Sequence, residues 1–366
     1  MKIGIVTHYY KSENYGGNLQ AYALCKALND MGHEAEQISL DKKKDKGLYL
    51  KIKELGKKIL LSLKRNRKLV KARSLAFRGF NQEIIPHSIA YSEKSICECV
   101  QNYDAFITGS DQVWNPRDVC DAYLLRFAPS DKIKLSYAAS IARNQLSQEI
   151  QERYKRALLD YKAISVRENE AVPLIAPLTD KDVRVVLDPT LLLTKEDWLS
   201  MAEPSGIKED YLFCYFLGNN ERSRKLAEEY AKKNNLKIVT LPHLIGKRRK
   251  CDDNFGDYKL YDVSPQRLIG LINEAKCVFT DSFHATVFSI ICQKEYFVFH
   301  RNALKTMSSR IYTLTSLFGT KERFCDCESK ESIGYIESLD KIDYSCERES
   351  YIKLREESIR FLKGNL

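Results

Sequence analysis

Along the chain, short apolar runs alternate with segments whose apolar positions recur every three or four residues. The opening run "KIGIVTHYY" reads as a buried strand, and Leu19, Tyr22, Ala23, Cys25, Leu28 and Met31 follow at close to the helical period of about 3.6, with Gly32 as a stop. "EAEQISL" is then a second strand. The same alternation continues through "DAFIT", "IKLSYAAS", a polar helix near 147–160, "KAISV" and "VRVVLDPTLLL", where Pro189 marks a turn. A second series starts at "YLFCYFLG" and runs through "ERSRKLAEEYAKKNN", "LKIVTLP", "CVFTDSFHATVFSIICQ" and "EYFVFHR". Repeated strand–helix units predict parallel sheets. The polar stretch 199–210 predicts a linker between the two series.

The expected fold class is therefore α/β, with two Rossmann-like domains facing a cleft. We expect one domain over 1–200 with a basic helical insertion near 42–80, a second over 201–345, and a C-terminal helix over 346–366 that packs back on the first. A length of 366 residues fits two domains, since single cores stop growing at about 250–300 residues.

In open parallel sheets, ligands bind beyond the carboxyl ends of the strands. Polar clusters stand at those places: His8, "TGSD" 108–111, Ser140, Arg167, "LPH" 241–243, "TDSFH" 280–284 and His300–Arg301. In "NYGGN", Asn14, Tyr15, Gly16, Gly17 and Asn18 place paired glycines between strand and helix. Backbone N–H groups there can approach an anion or a sugar. A plain βα turn explains the spacing equally well, and since the motif is not GxGxxG it implies no dinucleotide. Ser110, Asp111 and Gln112 follow a buried strand, with Trp114 as a stacking wall for a sugar, or else Ser110 or Asp111 caps a helix. Arg167 is suited to a carboxylate or phosphate, and a salt bridge to Glu168 or Glu170 competes with that reading.

In "TDSFHATVF", Asp281 or Ser282 caps the helix and His284 occupies its first turn. The positive end of a helix dipole favours a neutral imidazole able to take a proton. Arg301 and Arg310 are candidate anion-holding cations near it. Metal-ligand spacings such as HExxH and CxxC are absent, and Cys97/Cys99 and Cys325/Cys327 are CxC pairs. No metal or cofactor is expected.

Charge changes the picture less than its total suggests. The net charge is +10, but residues 42–73 hold fourteen Lys or Arg against Asp45 and Glu54, so the basicity belongs to one segment. Leu48, Ile52, Leu55, Ile59 and Leu63 fall at helical spacing within it. This predicts a solvated helix or a peripheral contact with anionic lipid through 42–73. No aromatic platform is interleaved, so nucleic acid is not an expected partner. No run of about 18 apolar residues exists, no secretory h-region follows Met1, and the eleven cysteines read as reduced thiols. We expect a cytoplasmic protein, peripheral at the inner face of the membrane if the basic segment docks.

Six blocks in order, "NYGGNLQAYAL", "DAFITGSDQVWNP", "KLSYAAS", "AISVRE", "VLDPTLLL" and "TDSFHATVFSI", resemble the polysaccharide pyruvyl transferases. The resemblance implies a GT-B glycosyltransferase-like architecture, with the acceptor on the first domain and the donor on the second. It also implies transfer of the enolpyruvyl unit of phosphoenolpyruvate onto two hydroxyls of one sugar of a capsule or other surface polysaccharide precursor, carried on a lipid-linked oligosaccharide. A cyclic pyruvate ketal forms and phosphate is released. His284 and Asp281 are then the expected catalytic pair, with Arg167, Ser282, Arg301 and Arg310 at the donor. The chain departs from the family where several members read Arg-Leu-His: Ser282-Phe283-His284 stands there, and Arg301 or Arg310 is the candidate replacement cation. A GT-B glycosyltransferase using a nucleotide sugar and a non-catalytic glycan-binding protein of the same fold are the competing readings.

Overall fold

The computed structural model describes residues 1–42, 44, 67–244, 249–301, 308–325, 327–345 and 348–366. The chain divides into two units, Met1–Leu193 with Leu354–Leu366, and Thr194–Lys353.

The first unit is a parallel sheet of seven strands. In chain order they are β1 (Lys2–Val6), β2 (Glu34–Leu40), β3 (His87–Tyr91), β4 (Ala105–Thr108), β5 (Ile133–Ala139), β6 (Ala163–Val166) and β7 (Val183–Val185), and their spatial order is β3-β2-β1-β4-β5-β6-β7. β1, β4 and β5 are buried on both faces, which is why their sequences are apolar runs rather than alternations. The order reverses between β1 and β4, paired as Ile3↔Ala105 through Val6↔Thr108, and the chain leaves both strands at that switch point.

The helix after β1 spans Tyr15–Asp30, so Gly16 and Gly17 lie in its first turn and not in a preceding loop. Asn14 is the cap, with extended backbone and Oδ1 accepting from Gly17 N at 3.3 Å. From the basic segment, the part within the described residues includes the helix Arg67–Gly79, whose Arg73 is buried. Arg73 donates to the Tyr15 hydroxyl at 3.2 Å and to the Glu13 carbonyl at 3.0 Å, so this residue holds the helix Arg67–Gly79 to the start of the helix after β1 and is withdrawn from any membrane surface. The apolar row Leu48–Leu63, expected on a solvated helix or against anionic lipid, lies outside the described residues.

The second unit is a parallel sheet of six strands: β8 (Tyr211–Tyr215), β9 (Lys237–Thr240), β10 (Tyr258–Lys259), β11 (Cys277–Thr280), β12 (Glu295–Phe299) and β13 (Phe324–Cys325). They are ordered β10-β9-β8-β11-β12-β13, with the reversal between β8 and β11. Aromatic side chains of β11 and β12 build its core, Phe279 meeting Phe297 edge-on at 5.5 Å between ring centroids. The division at Leu193/Thr194 precedes the stretch 199–210 that polarity marks as a linker. Thr194 and Asp197 form a capping box that starts the helix Lys195–Met201, and buried Trp198 packs edge-on against Phe288 at 4.8 Å, anchoring this stretch to the second unit. At the C-terminus, Leu187 N donates to Ser358 Oγ at 3.0 Å and Arg355 donates to the Leu192 carbonyl at 2.8 Å, which seats Leu354–Leu366 on the first unit. Among the described residues no helix is long and apolar enough to cross a membrane.

Candidate functional site

Each unit gathers its polar residues at its own switch point. In the first unit, β4 runs into Gly109-Ser110-Asp111, and Asp111 adopts a left-handed φ of 65°, an uncommon backbone for a residue other than glycine. The loop is locked from below by Gln20. Its amide accepts from Ser110 N at 3.0 Å and donates to Thr7 Oγ1 at 3.0 Å, and Thr7 in turn donates to the Ser110 carbonyl at 2.7 Å. Gln20 was not singled out from the sequence. The signal was there, a long polar side chain on the apolar face of a helix.

Arg167, at the end of β6, is buried to 2% side-chain exposure and reaches three carboxylates. Nη1 meets Asp188 Oδ2 at 2.6 Å, Nη2 meets Asp111 Oδ1 at 3.3 Å, and Nε lies 4.0 Å from Glu168 Oε2. Burial works against the guanidinium's charge, but Asp188, Asp111 and Glu168 outweigh it and raise its proton affinity. Asp188 is further held by Thr190 N and Oγ1 at 3.1 and 2.7 Å, and Glu168 by Ser140 Oγ at 2.9 Å and Ile141 N at 3.0 Å. In this setting Arg167 turns its guanidinium to carboxylates of its own unit, Glu168 of the expected salt bridge among them. Among the described residues this one guanidinium meets three carboxylates, of which Asp188 is held most closely and Asp111 more loosely. Asp111 is the most exposed of the three acids at 12%, against 4% for Glu168 and 0% for Asp188.

The other first-unit candidates separate. Gly17 lies against the strand end: a Cβ there would stand 2.5 Å from the His8 carbonyl and 3.8 Å from Asp111 Oδ2. Asn18 is buried and spends its amide on the Ser12 and Asn14 carbonyls at 3.1 and 2.7 Å. Tyr15 is core, its ring 4.7 Å from Phe77. Trp114 is also core and no sugar-stacking wall; its indole N–H donates to the Tyr123 carbonyl at 3.3 Å, and Tyr154 and Tyr161 pack on it. Large aromatics are good apolar filling, and the fold uses these two that way. Gln112 is half-buried; its carbonyl contacts His8 Nε2 at 3.2 Å and its side-chain oxygen accepts from Asn115 at 2.9 Å.

In the second unit, Ser282 caps the helix Phe283–Ile291, its Oγ accepting from Ala285 N at 3.5 Å, and is therefore committed to the helix start. His284 sits half-buried in the first turn, edge-on to Phe283 with ring centroids 5.1 Å apart. Asp281 does not orient that imidazole. Its Oδ1 accepts from Leu217 N and its Oδ2 from Gly218 N, both at 2.6 Å, so it ties the end of β11 to the loop after β8. Arg301 donates to the Asp281 carbonyl at 3.0 Å and lies 3.6 Å from its Oδ1. Arg310 is buried with its guanidinium 5.7 Å from the Phe283 ring.

Two further arginines, neither picked out from the sequence, meet at Gly218. Its carbonyl accepts from Arg224 Nη2 at 3.1 Å and from Arg249 Nη1 at 3.3 Å. Arg224 is neutralised by Asp252 at 2.6 Å. Gly218 itself has no room for a side chain, since a Cβ would stand 2.8 Å from Asp281 Oδ2 and 3.1 Å from Arg301 Cγ. Among the described residues no group of three or more His, Cys, Asp or Glu is placed to hold a metal ion.

The whole chain is similar in fold to UDP-GlcNAc 2-epimerase from Methanocaldococcus jannaschii, with a TM-score of 0.58, 11% identity and 100% of each chain covered. It is similar also to the UDP-GlcNAc 2-epimerase from Neisseria meningitidis bound to UDP-GlcNAc, at 0.55, 11% and 100% of each chain. At such identity the likeness is one of fold, the two-domain α/β architecture of GT-B type. No curated protein sequence matches the chain significantly. The polysaccharide pyruvyl transferase family matches residues 14–300, a span that takes in the helix start at Asn14, the carboxylates around Arg167, the Gly218 loop and His284. The chain is a transferase and belongs to the polysaccharide pyruvyl transferase family.

Proposed function

We propose that the protein transfers the enolpyruvyl unit of phosphoenolpyruvate to two hydroxyls of one sugar in a surface polysaccharide precursor, forming a cyclic pyruvate ketal. The observation that carries this reading is the division of charge. A carboxylate-rich site in the first unit suits sugar hydroxyls, and an arginine-rich site in the second suits a donor with a carboxylate and a phosphate.

The chemistry distributes over these groups. One acceptor hydroxyl attacks the central enol carbon while the methylene carbon takes a proton and becomes a methyl group. The second hydroxyl attacks the same carbon as the C–O bond to phosphate breaks. Of the two hydroxyl protons, one balances the methyl group and the other leaves with phosphate. Asp111, held by Arg167 and more exposed than its neighbours, receives a hydroxyl proton. His284 serves the proton at the donor, and Arg301 with Arg310 supplies positive charge near it. We place the reaction in the cytoplasm, on a lipid-linked oligosaccharide. Residues 42–73 would contact the membrane surface, excepting the buried Arg73.

The test measures acceptor-dependent phosphate release from phosphoenolpyruvate, with mass spectrometry of the glycan for a gain of one pyruvate less one water. His284→Ala should lower kcat by about 10²–10⁴-fold with little change in melting temperature. The likeness to an epimerase bound to UDP-GlcNAc favours one alternative, a nucleotide-sugar donor. Thermal stabilisation by UDP-GlcNAc and none by phosphoenolpyruvate would replace our reading with that one.

A further inference from the structure

The replacement for the arginine missing before Phe283-His284 is a question of which cation in the second unit remains to meet an anion. Arg301 is engaged with Asp281, Arg224 with Asp252, and Arg310 is buried against Phe283. Arg249 differs. Among the described residues its guanidinium makes one hydrogen bond, to the Gly218 carbonyl at 3.3 Å, and no carboxylate lies within ion-pair distance.

The environment of Arg249 makes that isolation costly. It is half-buried, and it shares its single acceptor with a second guanidinium, that of Arg224. Desolvation pulls its proton affinity below the ordinary arginine value, and the charges of Asp252 and Asp281, opposed by that of Arg224, only partly offset it. An incoming oxyanion would reverse both penalties, since it supplies the missing counter-charge and bridges like charges. Gly218 lacks a side chain where one would crowd Asp281 and Arg301, so Arg249 and Arg301 both pack against the same bare stretch of backbone at the switch point of β8 and β11.

We infer that Arg249, acting with Arg301 across Gly218, is the anion-binding arginine of the second unit and holds the phosphate of the donor. The inference deepens the proposed function and rests on it for the identity of the donor, but the anion seat can be tested without that identity. Inorganic phosphate and phosphoenolpyruvate are titrated by calorimetry at low salt into the full chain, its Arg249→Ala and Arg249→Lys variants, and Arg222→Ala. Arg222 is an exposed arginine 3.7 Å from Glu331, so its removal controls for net charge.

Arg249→Ala should weaken both ligands by about tenfold or more, Arg249→Lys should fall between it and the parent, and Arg222→Ala should bind as the parent does. Without ligand, the melting temperature of Arg249→Ala should equal or exceed that of the parent, because an unanswered charge has been removed; this separates lost binding from lost folding. Equal phosphate binding by parent and Arg249→Ala, or none by the parent, overturns the assignment. Arg249-dependent binding of phosphate and UDP-GlcNAc without phosphoenolpyruvate keeps the anion seat and overturns the donor.

Discussion

At the first switch point one guanidinium sits among three carboxylates; at the second, Arg224, Arg249 and Arg301 gather round one glycine with Asp252 and Asp281 for company. The topology is shared, parallel strands diverging on either side of the reversal, yet among the described residues carboxylates outnumber the guanidinium at the first site and guanidiniums outnumber the carboxylates at the second. What differs is how many arginines are already answered. Arg167 is fully enclosed by acids and acts as an internal organiser, whereas Arg249 is left to find its counter-ion elsewhere. Counting arginines in a sequence therefore says little about anion binding until their carboxylate partners are known.

The sharpest way to break this contrast is to remove one arginine from each site. Arg167→Ala leaves three acids without their cation in the first unit and should destabilise the protein by about 3–5 kcal/mol in denaturant unfolding. Arg249→Ala should stay within about 0.5 kcal/mol of the parent. Equal losses would mean that both arginines are structural.

A smaller effect separates the two glycine approaches. Gly218→Ala puts a Cβ 2.8 Å from Asp281 Oδ2, and Gly17→Ala puts one 2.5 Å from the His8 carbonyl. Each should cost about 1–3 kcal/mol by overpacking. Only Gly218→Ala should also weaken phosphate binding, because only it disturbs the contact of Asp281 and Arg301 with the anion seat. Phosphate calorimetry on both variants decides, and equal weakening by the two would dissolve the distinction.

The smallest expected effect lies in pH. His8, in the first site, has its pKa lowered from 6.5, chiefly by burial, with Lys42 adding to this and Asp111 and the Gln112 carbonyl opposing it. The folded chain thus holds this proton less well than the unfolded chain. The contribution of His8 is complete above about pH 6.5 and is lost as pH falls below it, with a slope of at most about 1.4 kcal/mol per pH unit. His8→Gln should flatten the decline of unfolding free energy between pH 7 and 5, and an unchanged slope would assign the decline to other groups.

Much of the fold was legible because strand and helix signals are local. "CVFT" and "EYFVF" are apolar runs of strand length, and they are β11 and β12. A cap at Asp281 or Ser282 and the place of His284 in the first turn follow from the order Asp-Ser-Phe-His after a strand, and the fold puts the cap at Ser282. Side-chain destinations were not legible. Trp114, expected as a stacking wall, and Tyr15, expected in the acceptor segment, are both core, since nothing in their neighbours reports which face they occupy. Arg249 stands in the basic "GKRRK" and carries no local mark that distinguishes it from surface lysines.

By itself, then, the sequence determined two parallel βα series and the strand ends at which polar groups collect, because periodicity and caps act over a few residues. Tertiary structure alone decided which of those groups meet. Asp188 lies 21 residues from Arg167 and Asp111 lies 56, while Asp281 reaches Gly218 across 63. Electrostatic character depends on such contacts between distant segments, so the sign of charge at each switch point emerges only when the sheets are assembled.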